Sequence, residues 1–141
     1  MTSWVIYAIL SALFAALVAI FGKIGIRGVD SNLAVAIRTL IIVFFAWGIV
    51  FWQGNAGEAF KISKYSYTFI ILSAIATGLS WMFYYRALQL GPASSVVPID
   101  KLSVALAVVM AFIFLGEKMT FGNVVGATLV TLGVLATVFF K

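Results

Sequence analysis

Four ionisable residues stand inside stretches that are otherwise apolar: Arg38, Arg86, Asp100 and Lys101. A charge near the middle of a membrane helix costs at least about 2.5–3.5 kcal/mol, so such groups face a cavity, a partner or the nearest headgroups. Arg38 and Lys101 are suited to attract an anionic or carboxylate-bearing solute. Asp100 is suited to pair with one of them, or to titrate if protons are exchanged. Arg86, close to the end of its stretch, reads better as a side chain snorkelling to headgroups. Asp100 and Lys101 read better as functional: adjacent helical residues point about 100° apart, so both cannot face lipid. Aromatic groups complete the set. Thr77, Trp81, Tyr84, Tyr85 and Leu88 recur at helical spacing and form one stripe. Facing a cavity, that stripe would hold a flat or apolar solute; facing lipid, it would be ordinary packing. Trp81 is the strongest site residue among them because of its depth.

Other chemistry is excluded by composition. The chain has no Cys and no His, which removes thiol nucleophiles, disulfides, Cys/His zinc sites and a histidine base. No phosphate-binding glycine loop, nucleotide motif or metal cluster is present. No cofactor is expected, and the protein is not expected to be an enzyme.

The elements that must position these residues follow from hydropathy. Of 141 residues 65% are hydrophobic and 9% charged, with a mean hydropathy of +1.20. Soluble domains average roughly 45–50% apolar and about 25% charged residues. Lipid is therefore the solvent for most of the surface. The net charge of +5 is scattered between apolar runs rather than gathered on one face, which argues for membrane-flanking Lys/Arg and against nucleic acid. A span needs about 20 predominantly apolar residues. Five segments qualify, at about 3–22, 33–53, 65–90, 93–116 and 119–140. The fold class is thus all-α, an integral membrane bundle of five transmembrane helices forming one domain over 1–141. The N-terminus lacks a positive region and leads straight into a long apolar run, so the first helix is expected to be retained.

The connections carry turn chemistry. Asp30, Ser31 or Asn32 can cap the second helix, and Pro92 stands near the start of the fourth. Pro98 removes a backbone hydrogen bond inside the fourth helix and is expected to kink it, with or without a gating role. Trp4, Tyr7, Trp52, Tyr65, Tyr67, Tyr84 and Tyr85 lie at segment ends, as an interfacial belt would. The stripe Ala8, Ala12, Ala15, Ala19 and Gly22 on the first helix is assigned to packing within the chain. On the last helix Gly122, Gly126 and Gly133 provide a small-residue face for helix association.

Five spans put the N-terminus and the loops after the second and fourth helices on one side of the membrane. That side carries Lys61, Lys64 and Lys118; the other carries Lys23, Arg27 and Lys141, plus Arg86 if it is counted. The positive-inside rule gives almost no preference, so the chain is expected to insert both ways up, with one fixed orientation as the alternative.

Three stretches resemble the EamA family of the drug/metabolite transporter superfamily: Phe83 to Pro98, Phe112 to Thr120 and Gly126 to Val134, with Ala36-Ile37-Arg38 matching the basic residue early in that family's second helix. Typical members resemble two such repeats fused, the second inverted. The resemblance implies that a single repeat pairs with an inverted second copy. The last helix also resembles that of the small multidrug resistance proteins, where glycines seven apart mediate dimer contact. The first helix lacks the carboxylate of those proteins, which disfavours cation antiport by their mechanism. The resemblance implies a secondary transporter or exporter of small metabolites in the cell membrane, acting as a homodimer, and the charge balance is what an antiparallel pairing requires. A non-transporting assembly subunit and a lipid-carrier flippase are the alternatives.

Overall fold

The computed structural model describes residues 3–140, and among them there are helices and turns but no strand. Lys141, counted above for its charge, lies outside the described residues. In lipid every backbone N–H and C=O must be satisfied within its own segment, and long apolar runs therefore become helices. Five spans result: α1 (Ser3–Gly25), α2 (Ser31–Trp52), α3 (Lys64–Leu90), a broken fourth made of α4 (Ala93–Asp100) and α5 (Leu102–Leu115), and α6 (Phe121–Phe139). All five are long and apolar enough to cross a bilayer.

The ends differ from the sequence expectation by a few residues, each for a local reason. α1 continues through Lys23 to Gly25, and the ammonium in its last turn donates to the Leu88 carbonyl. α2 begins at Ser31, capped by Asp30, whose carboxylate accepts from the N–H groups of Asn32 (2.9 Å) and Leu33 (3.0 Å). α6 begins at Phe121, capped by Thr120 Oγ1 accepting from the Asn123 N–H at 3.2 Å. The segment between α2 and α3 contains a 3₁₀ turn, Ala56–Lys61. A Lys61–Glu58 ion pair of 2.7 Å and a Tyr67 hydroxyl donating to the Ala59 carbonyl at 2.9 Å hold that turn. Threonines inside the spans return their hydroxyls to the preceding turn, as Thr39 does to Val35 (2.7 Å) and Thr128 to Val124 (2.8 Å). Apolar surroundings offer them no better acceptor.

The fourth span is interrupted at Lys101, three residues beyond Pro98. A proline ring clashes with the carbonyl four residues back and leaves it without its helical donor. Around the break the bonds span three residues instead of four: Lys101 N–H donates to Pro98 O at 2.9 Å and Val104 N–H to Lys101 O at 3.0 Å, and Ser103 Oγ donates to Asp100 O at 2.7 Å. α5 then ends at Gly116, whose φ of +65° a residue with a Cβ rarely adopts.

The described residues form two compact units, one of residues 3–20 with 90–140, the other of residues 21–89. In the first, α4 and α5 pack against α6. In the second, the ends of α1 and α3 and the start of α2 are tied by polar bonds: Lys23 Nζ donates to the Leu88 carbonyl, and Gln89 Nε2 donates to the Val29 carbonyl at 2.8 Å. Little of the apolar surface is internal. At most 11% of the most apolar stretch of any span is buried, so most Leu, Ile and Phe side chains point outward to lipid or to another molecule.

Candidate functional site

Arg38 stands seven residues after the start of α2, about 10 Å along the axis at 1.5 Å per residue. Its guanidinium carbon lies 4.2 Å from the centroid of the Trp81 ring and 5.3 Å from that of Tyr85, both on α3. The cation thus rests against aromatic faces, where the ring quadrupole attracts it. Its Nη1 is buried and has no hydrogen-bond partner. Arginine in a span costs at least about 2.5–3.5 kcal/mol, whereas a cation–π contact returns about 0.5–2 kcal/mol. The rings offset part of the penalty, and a buried N–H donor remains to be satisfied.

Tyr85 is 5% exposed, which sets it apart from an interfacial belt residue. Its ring meets Tyr84 edge-on, centroids 6.0 Å apart, and reaches back to Gly22 on α1. The fit is tight there: a Cβ on residue 22 would lie 3.0 Å from Tyr85 Oη and 3.2 Å from its Cζ, so the ring would have to give by a few tenths of an ångström. Leu88, one turn further along α3, is fully buried, while Thr77 at the other end of the stripe is exposed and bonded to the Ser73 carbonyl at 2.9 Å. The stripe is therefore graded, from an exposed end at Thr77 through half-buried Trp81 and Tyr84 to a packed end at Tyr85 and Leu88.

Of the residues singled out in the sequence, Arg38, Trp81, Tyr84 and Tyr85 come together in the second unit. Arg86 is exposed and donates to Gln89 Oε1 at 2.8 Å, a surface contact. In the first unit Asp100 and Lys101 pair with each other at 3.2 Å across the break in the fourth span, Lys101 47% and Asp100 35% exposed. Pro98 sits half-buried beside them. Gly126 and Gly133 have open space where a Cβ would be, and Gly122 has only its own cap, Thr120 Oγ1, at 3.8 Å. A shallow apolar hollow of about 280 Å³ between α5 and α6 is lined by Val108, Val109, Val124, Ala127 and Thr131 among others. Of the alanine stripe on α1, Ala19 is buried, whereas Ala8, Ala12 and Ala15 are exposed, so packing within the chain uses only its end.

Two contributors were not singled out for this role. Gly22 appeared only as the end of a small-residue stripe, and its function as the seat for Tyr85 depends on a partner over 60 residues away in the chain. Gln89 carried a weak signal, an uncharged polar group near the end of a span.

The model of the EamA-like transporter family matches residues 2–139. A protein of Sinorhizobium sp. described as an uncharacterized transporter in the cobO 3' region is 40% identical over 138 residues, which is 98% of each chain. An uncharacterized protein of Methanocaldococcus jannaschii is 32% identical over 68 residues, 48% of this chain and 50% of that one. A WAT1-related protein of Arabidopsis thaliana is 27% identical over 114 residues, 72% of this chain but 30% of the plant protein. No solved structure gives a significant match. The chain belongs to the EamA-like transporter family and is a multi-pass membrane transporter of the drug/metabolite type.

Proposed function

We propose that the protein is a secondary transporter of small metabolites in the cytoplasmic membrane, working as a homodimer whose two copies lie in opposite orientations. The observation that carries the reading is Arg38: a cation well inside a span, set against Trp81 and Tyr85, with a buried donor left open. Such a group is expensive in lipid and is retained where a solute passes.

The pairing rests on four supports. An odd number of spans means that a second repeat placed in tandem would be inverted, so a lone repeat must obtain its inverted partner from another copy. The basic residues of the connecting segments give no strong orientation signal. The chain buries little of its own apolar surface and leaves Gly126 and Gly133 uncovered, which suits close approach of a second helix. The Sinorhizobium relative, matched end to end, also has the length of one repeat. Alternating access would then arise from two conformers of one sequence exchanging roles.

Exchange in proteoliposomes tests the activity. Vesicles preloaded with a mixture of unlabelled amino acids, organic acids and sugars are diluted into each labelled solute in turn. Saturable counterflow of at least one solute, lowered by Trp81→Ala, is the expected result. No flux above empty vesicles for any solute, with the protein instead purifying in complex with another membrane protein, would favour the assembly-subunit alternative.

A further inference from the structure

We infer that the Arg38 site takes an organic oxyanion, a carboxylate carried on an apolar or aromatic body; the inference rests on the transport reading and names its substrate class. The Arg38 guanidinium carbon lies over the rings of Trp81 and Tyr85, 4.2 and 5.3 Å from their centroids, and a ring face takes no hydrogen-bond donor the way an oxygen does. One of them, Nη1, is buried without an acceptor. A planar guanidinium presents paired donors that match the two oxygens of a carboxylate, which a neutral solute cannot replace.

The chain itself supplies no such acceptor in this unit. Its two acids in residues 21–89 are Asp30 and Glu58. Asp30 is engaged by the α2 N-terminus, Glu58 by Lys61 at 2.7 Å. The other cations at the ends of α1 and α3 already have acceptors, Lys23 the Leu88 carbonyl and Arg86 the Gln89 amide oxygen. Arg38 alone of these three is held by rings instead of oxygens. Depth favours an organic body over a bare inorganic ion: Arg38 lies about 10 Å from the start of α2 and Trp81 about 14 Å from the end of α3. At that depth the solute must shed water, and an apolar or aromatic moiety gains from contact with the half-exposed Trp81 and Tyr84. An anionic lipid headgroup offers the same oxyanion chemistry and is the second possible source.

The test is equilibrium binding of labelled benzoate and its neutral counterpart benzamide to the full chain in uncharged detergent. Wild-type protein is expected to prefer benzoate, and Arg38→Gln to weaken benzoate by about tenfold or more while leaving benzamide unchanged. Equal binding of the two probes, or benzoate binding unaffected by Arg38→Gln, overturns the inference. Should that variant not fold, quenching of tryptophan fluorescence by para-nitrobenzoate but not para-nitrobenzamide, lost in Trp81→Phe, carries the same decision. Nanodiscs of phosphatidylcholine with and without phosphatidylglycerol separate the sources. Displacement of benzoate by phosphatidylglycerol assigns the site to a lipid headgroup, and its absence assigns it to a free solute. Arg38-dependent benzoate binding without counterflow would remove the transport reading and keep this one. Counterflow of neutral solutes that Arg38→Gln leaves intact would do the reverse.

Discussion

At the residue scale, the site depends on a contact between three helices that no single helix announces. Arg38 was visible in the sequence because a charge interrupts an apolar run, and Trp81 because an aromatic lies deep in one. Their mutual distance was not, since side chains on α2 and α3 meet only once the helices are packed. Tyr85 illustrates the same limit. Near a segment end it reads as an interface anchor, yet Gly22 gives it a seat and it is buried. Replacing Gly22 should therefore be harmful in a way that replacing Gly126 is not. Gly22→Val is expected to destabilise the chain by about 1–3 kcal/mol through overpacking against Tyr85, seen as a lower unfolding midpoint in detergent. Gly126→Val, with open space around it, should leave that midpoint unchanged and instead weaken self-association. Equal effects on the midpoint would contradict the assignment.

At the scale of elements, helix number and type were legible because hydropathy and length decide them in a bilayer. The ends were less so, because hydropathy does not record caps. Asp30 was one of three candidates and is the residue whose carboxylate receives the α2 N–H groups. Asp30→Ala should lower stability by about 1 kcal/mol, while Ser31→Ala should leave the cap intact, as judged by thermal melts. The break in the fourth span was foreshadowed by Pro98, but its position at Lys101 depends on how the backbone finds alternative donors. Pro98→Ala restores a helical hydrogen bond. It should raise the unfolding midpoint and, if the break moves during transport, lower the maximal counterflow rate without a matching change in benzoate affinity. A variant transporting as fast as the wild type would show that the break is purely structural.

At the scale of the whole molecule, the chain displays a composition that only lipid or another protein can cover, and its match to the plant relative spans 30% of that longer protein. Nothing in one sequence reveals which molecule covers an apolar face, because lipid and a partner helix are equally apolar. What the sequence does hold is the charge balance of its connecting segments. The most direct measurement uses paired fusions at the C-terminus, a phosphatase active only outside the cytoplasm and a fluorescent protein that matures only within it. The account predicts substantial signal from both fusions, as two opposed orientations require. Activity from one fusion with the other silent would contradict it.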